Sequence, residues 1–545
     1  MSKDSLVKGT IILALAALIA RVLGAVQRIP LVYLLDDAGM ATYSIAFNIY
    51  SFLLVIATAG IPSALSKLVS QETALGQHAE ANRIYRAAGL FALGAGVVMT
   101  LLLLVFAPYY ANEVSHDPDA ALSIRALAPA LLLFPLIAIM RGYFQGRQRM
   151  LPNGLSQIVE QILRLVTAVG LAFLLLQLDY GHVKAVAGAS FGGVMGSIGA
   201  VLVMAYYALA MRREDARTGQ TGNAKPVQSP SYGAIYRRLF RVAVPIVLFS
   251  TAVPLIYLID SSITIGLLQG DLGYDAAKEA LGVLGGRAQS LAGIPIILAI
   301  ALSQSAVPVV SAAFARQDME LVRGQASKAL YMSVVTGLPM VIAICVAARP
   351  LNGFLFGNHD GTSIIIFLTV SVLFQIVMQT SGAILMGMGR MKPLILHVAI
   401  GIVIKLVASY LLSPWLGIYG IIAATALCFI AMAQLNLRVL KRMVDYTVLG
   451  SKWGGIIVTV IGTSAVGAAL EWATSQWVQP FAAARVNDMI NAAIVGGLAC
   501  VLYVLLLFLT RTVTESEIGS FPGPLQKLYR RFRRDKSRSN SASQG

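Results

Sequence analysis

The stretch "ALIARVLGAVQRIPLVYLL" (17–35) decides how the chain is read. It is long and apolar enough to cross a bilayer, which takes about 20 residues of helix. Yet Arg21 and Arg28 interrupt it, and an arginine at the centre of such a helix costs roughly 2.5–3.5 kcal/mol even on the insertion scale. Arg21, Gly24 and Arg28 stand at i, i+3 and i+7, on one face of the helix. A membrane helix with two fixed positive charges on one stripe faces something anionic.

The rest of the chain has the same character. Its 545 residues are 57% hydrophobic and 12% charged, with a mean hydropathy of +0.76. Soluble domains carry about 25% charged residues, so the chain is an all-α polytopic membrane protein. Apolar stretches centred near residues 20, 55, 96, 133, 167, 198, 252, 297, 336, 374, 403, 427, 461 and 499 predict fourteen spans, with Pro129 and Pro135 interrupting the fourth. The opening "MSKDSLVKGTIILALAALIA" has a basic start but no small-residue cleavage site before Arg21, and reads as a retained first helix.

An even span count puts both termini on one side, and charge says which. Of the 42 Lys and Arg, 32 lie in alternate loops and at the two ends. The opposite loops hold five: Arg125, Lys184, Lys278, Arg349 and Arg485. The positive-inside rule therefore predicts cytoplasmic termini. The net charge of +17 reflects topology, and nucleic-acid binding need not be invoked. The basic run "KLYRRFRRDKSR" reads as a solvated tail within reach of anionic headgroups.

The chain repeats at an offset of 241. "GRQRMLP" (146–152) lies over "GMGRMKP" (387–393), and Arg164 over Lys405. A second echo sets "AGIPSALSKLVS" (59–70) over "SAVPVVSAAFAR" (305–316) at a slightly different offset, attributed to loop length. The offset spans an even number of helices, so the repeat is parallel. The expected organisation is a six-helix bundle over 1–211, a cytoplasmic linker over 212–235 and a second bundle over 236–445. Spans 13 and 14 follow over 446–512, then a basic tail over 513–545. Two bundles enclosing a central cavity form the geometry of an alternating-access transporter.

Five basic residues remain inside spans: Arg21, Arg28, Arg164, Arg287 and Lys405. Arg28 and Arg287 lie at similar depth and are expected to face the cavity from opposite halves. Planar guanidinium forks suit phosphate, so Arg21, Arg28 and Arg287 are the candidate substrate-binding residues. Arg164 has Glu160 at i−4, a ready ion pair for structure or gating. Lys405 has no acid within helical reach; a cavity role and snorkelling are both open. Asp260 would bind a coupling cation or pair with an arginine.

No catalytic set appears. The five histidines are scattered and no P-loop occurs. The three cysteines show no metal-ligand spacing and read as small apolar residues. "SFGGVMGSIGA" (190–200) follows no strand, so its glycines predict a helix–helix contact. Neither cofactor nor metal is expected.

The fourteen spans in a 6+6+2 plan, with "ARVLGAVQRIPLVYLL", "AGIP", "GRAQSLAGIP" and "GRMKP", resemble the multidrug/oligosaccharidyl-lipid/polysaccharide exporter superfamily. Within it the chain is similar to MurJ-type lipid II flippases of the Bacillus-type branch related to stage V sporulation protein B. The resemblance covers essentially the whole chain. It implies flipping of undecaprenyl-diphosphate-linked disaccharide-pentapeptide across a bacterial plasma membrane, a step that makes and breaks no bond. It carries the family's cavity arginines onto Arg21 and Arg287. The family's second span-1 arginine falls at Gln27, with Arg28 one place later. The family's charged span-2 residues have no counterpart in "YSIAFNIYSFLLV". Spans 13 and 14 would serve as a groove for the polyprenyl tail. The expected partners are the lipid-linked diphosphate glycan, membrane lipids and cell-wall synthesis proteins. Alternatives are a flippase for another lipid-linked polysaccharide or spore-wall precursor, a cation-coupled drug exporter, which would favour acidic cavity residues, and a non-transporting scaffold.

Overall fold

The computed structural model describes residues 3–58, 60–217, 231–448, 452–477, 483–510 and 512, with the side chains of 3–11, 14 and 298–308 left out. Most of the expected linker (218–230) and the basic tail from 513 lie outside the described residues. Among the described residues all regular structure is helical.

α1 (Lys3–Thr58) is interrupted at Asp36, where φ is 55° and ψ −178°. The chain doubles back there. Gln27 Nε2 donates to the Tyr43 hydroxyl at 3.3 Å, whereas sixteen residues of unbroken helix would hold them about 24 Å apart. α2 (Ile61–Ala74), α3 (His78–Tyr109), α4 (Ala120–Leu127), α5 (Ala130–Gly146), α6 (Leu151–Gln177) and α7 (His182–Arg217) complete the first half. α4 and α5 form one span broken at Pro129, as the prolines predict.

The second half contains α8 (Tyr232–Ser250), α9 (Ala252–Leu272), α10 (Tyr274–Gly282), α11 (Gln289–Ala315), α12 (Met319–Val346), α13 (Ala348–Phe356), α14 (Thr362–Gly387), α15 (Met391–Leu416) and α16 (Ile418–Met443). α8 and α9 make one bent crossing, since helical hydrogen bonds from Thr251 to Val247 and from Leu255 to Thr251 continue across the bend. Between α10 and α11 lies a π-helical turn, Val283–Ala288. α17 (Trp453–Trp477) and α18 (Ala484–Leu509) follow.

Thirteen described segments are long and apolar enough to cross a membrane. The first, Leu15–Ala74, has 60 residues and includes the fold at Asp36, so it supplies two crossings. The total is the fourteen read from the sequence, in a multi-pass membrane protein.

The repeat is visible in the turns. Left-handed residues end corresponding helices at Gly76 and Gln317, His116 and Gly357, and Gln148 and Gly389. Each pair is 241 residues apart, the offset read from "GRQRMLP" and "GMGRMKP". The second echo does not follow loop length. The turns after it, Gly76 and Gln317, keep 241, while the crossing from Asp37 to Ala74 is shorter than that from Tyr274 to Ala315.

The glycines of "SFGGVMGSIGA" serve helix packing. A Cβ on Gly192 would lie 2.7 Å from the Arg164 carbonyl, and one on Gly196 2.7 Å from the Glu160 carbonyl. α7 thus seats directly on the α6 backbone that carries the ion pair expected there.

Candidate substrate cavity

Two adjoining cavities lie between the halves, at the level of the membrane spans. One, of about 780 Å³, is walled by α1, α5 and α6 and touches α11. The other, of about 640 Å³, is walled by α8, α9 and α14. Arg21, Arg28, Phe47, Gln289 and Gly293 line both, so the face predicted for α1 stands where the two meet. The charged residues lining the first are Arg21, Arg28, Arg141, Glu160 and Arg164, four cations against one carboxylate. The second adds no charge of its own; Phe249, Val253, Tyr257 and Met378 supply its wall, with Gln375 and Gln379.

Arg21 forms no ion pair among the described residues, and its side chain is exposed. Arg28 Nη1 donates to the Gly285 carbonyl at 2.6 Å, and its guanidinium carbon sits 5.8 Å from the Phe47 ring centre, a cation–π contact. A π-helical turn leaves carbonyls outside the ordinary i−4 ladder, and Arg28 takes one of them. Glu160 shares its two oxygens: Arg164 Nη2 reaches Oε1 at 3.0 Å and Arg141 Nη2 reaches Oε2 at 2.9 Å. The i−4 partner is legible in the sequence. Arg141 is not, because "RGYFQGRQR" reads as a basic loop, whereas α5 continues to Gly146 and carries Arg141 within the span.

Arg287 departs from expectation. It lines neither cavity. It is 4% exposed and forked onto Asp37, with Nε to Oδ1 at 2.8 Å and Nη2 to Oδ2, while Nη1 reaches the Asp360 carbonyl at 3.4 Å. By sequence Asp37 belongs to an outer loop, "LDDAG". The fold at Asp36 instead presses the start of the second rod against Gly282, where an added Cβ would fall 1.8 Å from the Asp37 carbonyl. This close approach delivers the carboxylate to Arg287.

A second ionic contact closes the same end. Lys278 Nζ lies 2.8 Å from Asp117 and 2.9 Å from Asp119, and Thr42 donates to Asp117 at 2.5 Å. The two halves are therefore clasped at the end away from the linker.

Lys405 neither snorkels nor reaches the cavity. Its side chain is fully buried, 2.5 Å from Asp260 Oδ1 and 2.8 Å from the Ile421 carbonyl. Asp260 is thus paired with a lysine, not an arginine, and Thr425 donates to its other oxygen at 3.4 Å. The α9 acid and the α15 cation are 145 residues apart in sequence, so no helical spacing could reveal them. Among the described residues no group of three or more His, Cys, Asp and Glu could hold a metal ion.

The sequence profile of the family described as "Polysaccharide biosynthesis protein" matches residues 6–314, more than half of the chain and all of the cationic cavity wall. The chain belongs to that family. Among its relatives in Bacillus subtilis (strain 168), lipid II flippase MurJ is 29% identical over 508 residues, covering 90% of this chain and 92% of the relative. The uncharacterized membrane protein YabM is 29% identical over 533 residues, 96% of each. A solved structure of lipid II flippase MurJ in an inward closed conformation superposes with a TM-score of 0.64 at 14% identity, covering 91% of this chain and 99% of that one. This family member therefore has the MurJ-like fold. Where the names of these relatives state an activity, it is moving a lipid rather than catalysing a reaction.

Proposed function

We propose that the protein flips a lipid-linked diphosphate glycan, lipid II, from the inner to the outer leaflet by alternating access. One observation carries this reading: four arginines against one carboxylate on the wall of a cavity inside the membrane. Such an excess of positive charge within the membrane is expensive unless an anion of matching charge comes and goes. A diphosphate has the charge and the paired oxygens that guanidinium forks bind. A cation-coupled drug exporter would need the opposite sign.

Arg21 and Arg28 are the diphosphate ligands in this reading, at the junction of the two cavities. The uncharged cavity beyond them takes neutral parts of the head group. The polyprenyl chain stays in lipid along α17 and α18, which leave Ile457, Val458, Ile461, Leu498 and Val501 exposed. In this reading the linker and both termini are cytoplasmic and the Arg287–Asp37 clasp lies on the outer side, an orientation supported by the positive-inside distribution. Orientation is checked with single cysteines in a cysteine-free background: Asn112 and Asn358 should label from outside intact cells, and Ser539 should not.

The functional test is depletion in the native host followed by assay of lipid-linked intermediates. Lipid II accumulating on the inner leaflet supports the proposal. Normal lipid II with a missing surface polymer or spore-wall layer reassigns the substrate to another lipid-linked glycan.

A further inference from the structure

We infer that Phe47 is a positioning residue for the diphosphate site. Its ring, with the Gly285 carbonyl, holds the Arg28 guanidinium in one orientation and leaves its other N–H groups free for phosphate oxygens. The inference rests on the flippase reading and deepens it.

Among the described residues Arg28 has no carboxylate partner and one hydrogen bond, the donation from Nη1 to the Gly285 carbonyl at 2.6 Å. Nε and Nη2 make none, yet neither is sealed off from the two cavities that Arg28 lines. An arginine held by one bond keeps much of its rotamer freedom. Phe47 supplies the second hold: its ring centre lies 5.8 Å from the guanidinium carbon. The two holds come from adjoining places. Gly285 seats against Ser44 so closely that an added Cβ would strike the serine side chain, and Ser44 is one turn before Phe47 on the second rod of α1.

A ring suits this task better than an acid. Its face is electrically negative but takes up no strong hydrogen bond, so it steadies the cation without occupying its donors. A carboxylate in the same place would take them, as Glu160 takes one Nη2 from each of Arg141 and Arg164. The second rod carries Tyr43, Phe47 and Tyr50 at i, i+4 and i+7, on one face and with no charge between them. Their ring centres lie 6.0 and 6.3 Å apart, and the row continues to Phe134 at 5.9 Å. Arg164 rests 5.9 Å over Phe134, so the row supports two cavity cations, and Arg28 is the one that has no acid to help. A diphosphate arriving at Arg28 meets a fork already aimed, and little freedom is lost on binding.

The test uses the full-length protein purified in detergent, with binding of undecaprenyl diphosphate read by native mass spectrometry. Phe47→Leu should weaken binding about three- to tenfold, the cost of ordering one long side chain. Phe47→Tyr, which keeps the aromatic face, should stay within about twofold. Fluorinated phenylalanines placed at position 47 give the sharper readout, because each fluorine drains the ring face of negative potential with almost no change of shape. Binding should fall stepwise from phenylalanine through its monofluoro, difluoro and trifluoro forms. A flat or rising series would overturn the inference, since a ring that only fills space responds to shape alone. Phe47→Tyr losing as much as Phe47→Leu would overturn it as well. If the unaltered protein binds no undecaprenyl diphosphate, the flippase reading itself fails and takes this one with it.

Discussion

Positions 164 and 405 are the same place in the two halves, 241 residues apart, and each puts a cation inside the membrane. Arg164 finds its partner one turn back on its own helix and shares it with Arg141, which keeps the guanidinium on the cavity wall. Lys405 finds its partner across a helix interface and is sealed by a backbone carbonyl from α16, with no exposure at all. One half presents its charge and the other uses its charge to brace three helices. A duplicated cation has thus been given two physical tasks, and the difference lies in where the carboxylate sits.

The comparison breaks first at Lys405. Lys405→Met strands the Asp260 carboxylate in a dry interface, at a cost of about 3–5 kcal/mol. Thermal unfolding of the detergent-purified variant should show a larger loss than any other charge substitution in the membrane spans, and Lys405→Met with Asp260→Leu should recover most of it. A single variant as stable as the parent would mean the pair braces nothing.

Arg287→Ala comes next. It removes a forked charge-assisted contact between the halves, worth about 1.5–3 kcal/mol, and leaves Asp37 unmatched. The variant should reach the membrane but fail to rescue a depleted strain, with Arg287→Lys intermediate because one prong is lost. Full rescue by Arg287→Ala would show that the clasp is dispensable. Arg164→Ala should cost less stability, about 1 kcal/mol, since Glu160 keeps Arg141. Its defect should appear in flipping rather than in the melting temperature, the reverse of Lys405→Met. Arg149→Ala should be smallest. The Arg149–Glu214 pair is half exposed at the linker end, where such pairs contribute about 0–1 kcal/mol, so growth rescue and melting temperature should both match the parent.

Local spacing in the sequence announces what a single helix decides. The spans follow from apolar windows, the Glu160–Arg164 pair from an i−4 step, and a close helix–helix contact on α7 from its spaced glycines, though not which helix fills it. Partners from distant segments are invisible to it. Arg287 meets Asp37 across 250 residues and Lys405 meets Asp260 across 145, and no periodicity links either pair. Arg141 is hidden for a different reason: its basic neighbours make the end of a span look like a loop.

The fold at Asp36 has a mechanical consequence. One residue of left-handed backbone joins the first two rods, so there is no slack between them. Asp37, the next residue in the chain, is one jaw of the clasp, so the rod that carries Arg21 and Arg28 ends one residue from the contact that joins the two halves. The cavity arginines and the clasp carboxylate thus belong to one continuous piece of chain whose one non-helical residue is Asp36.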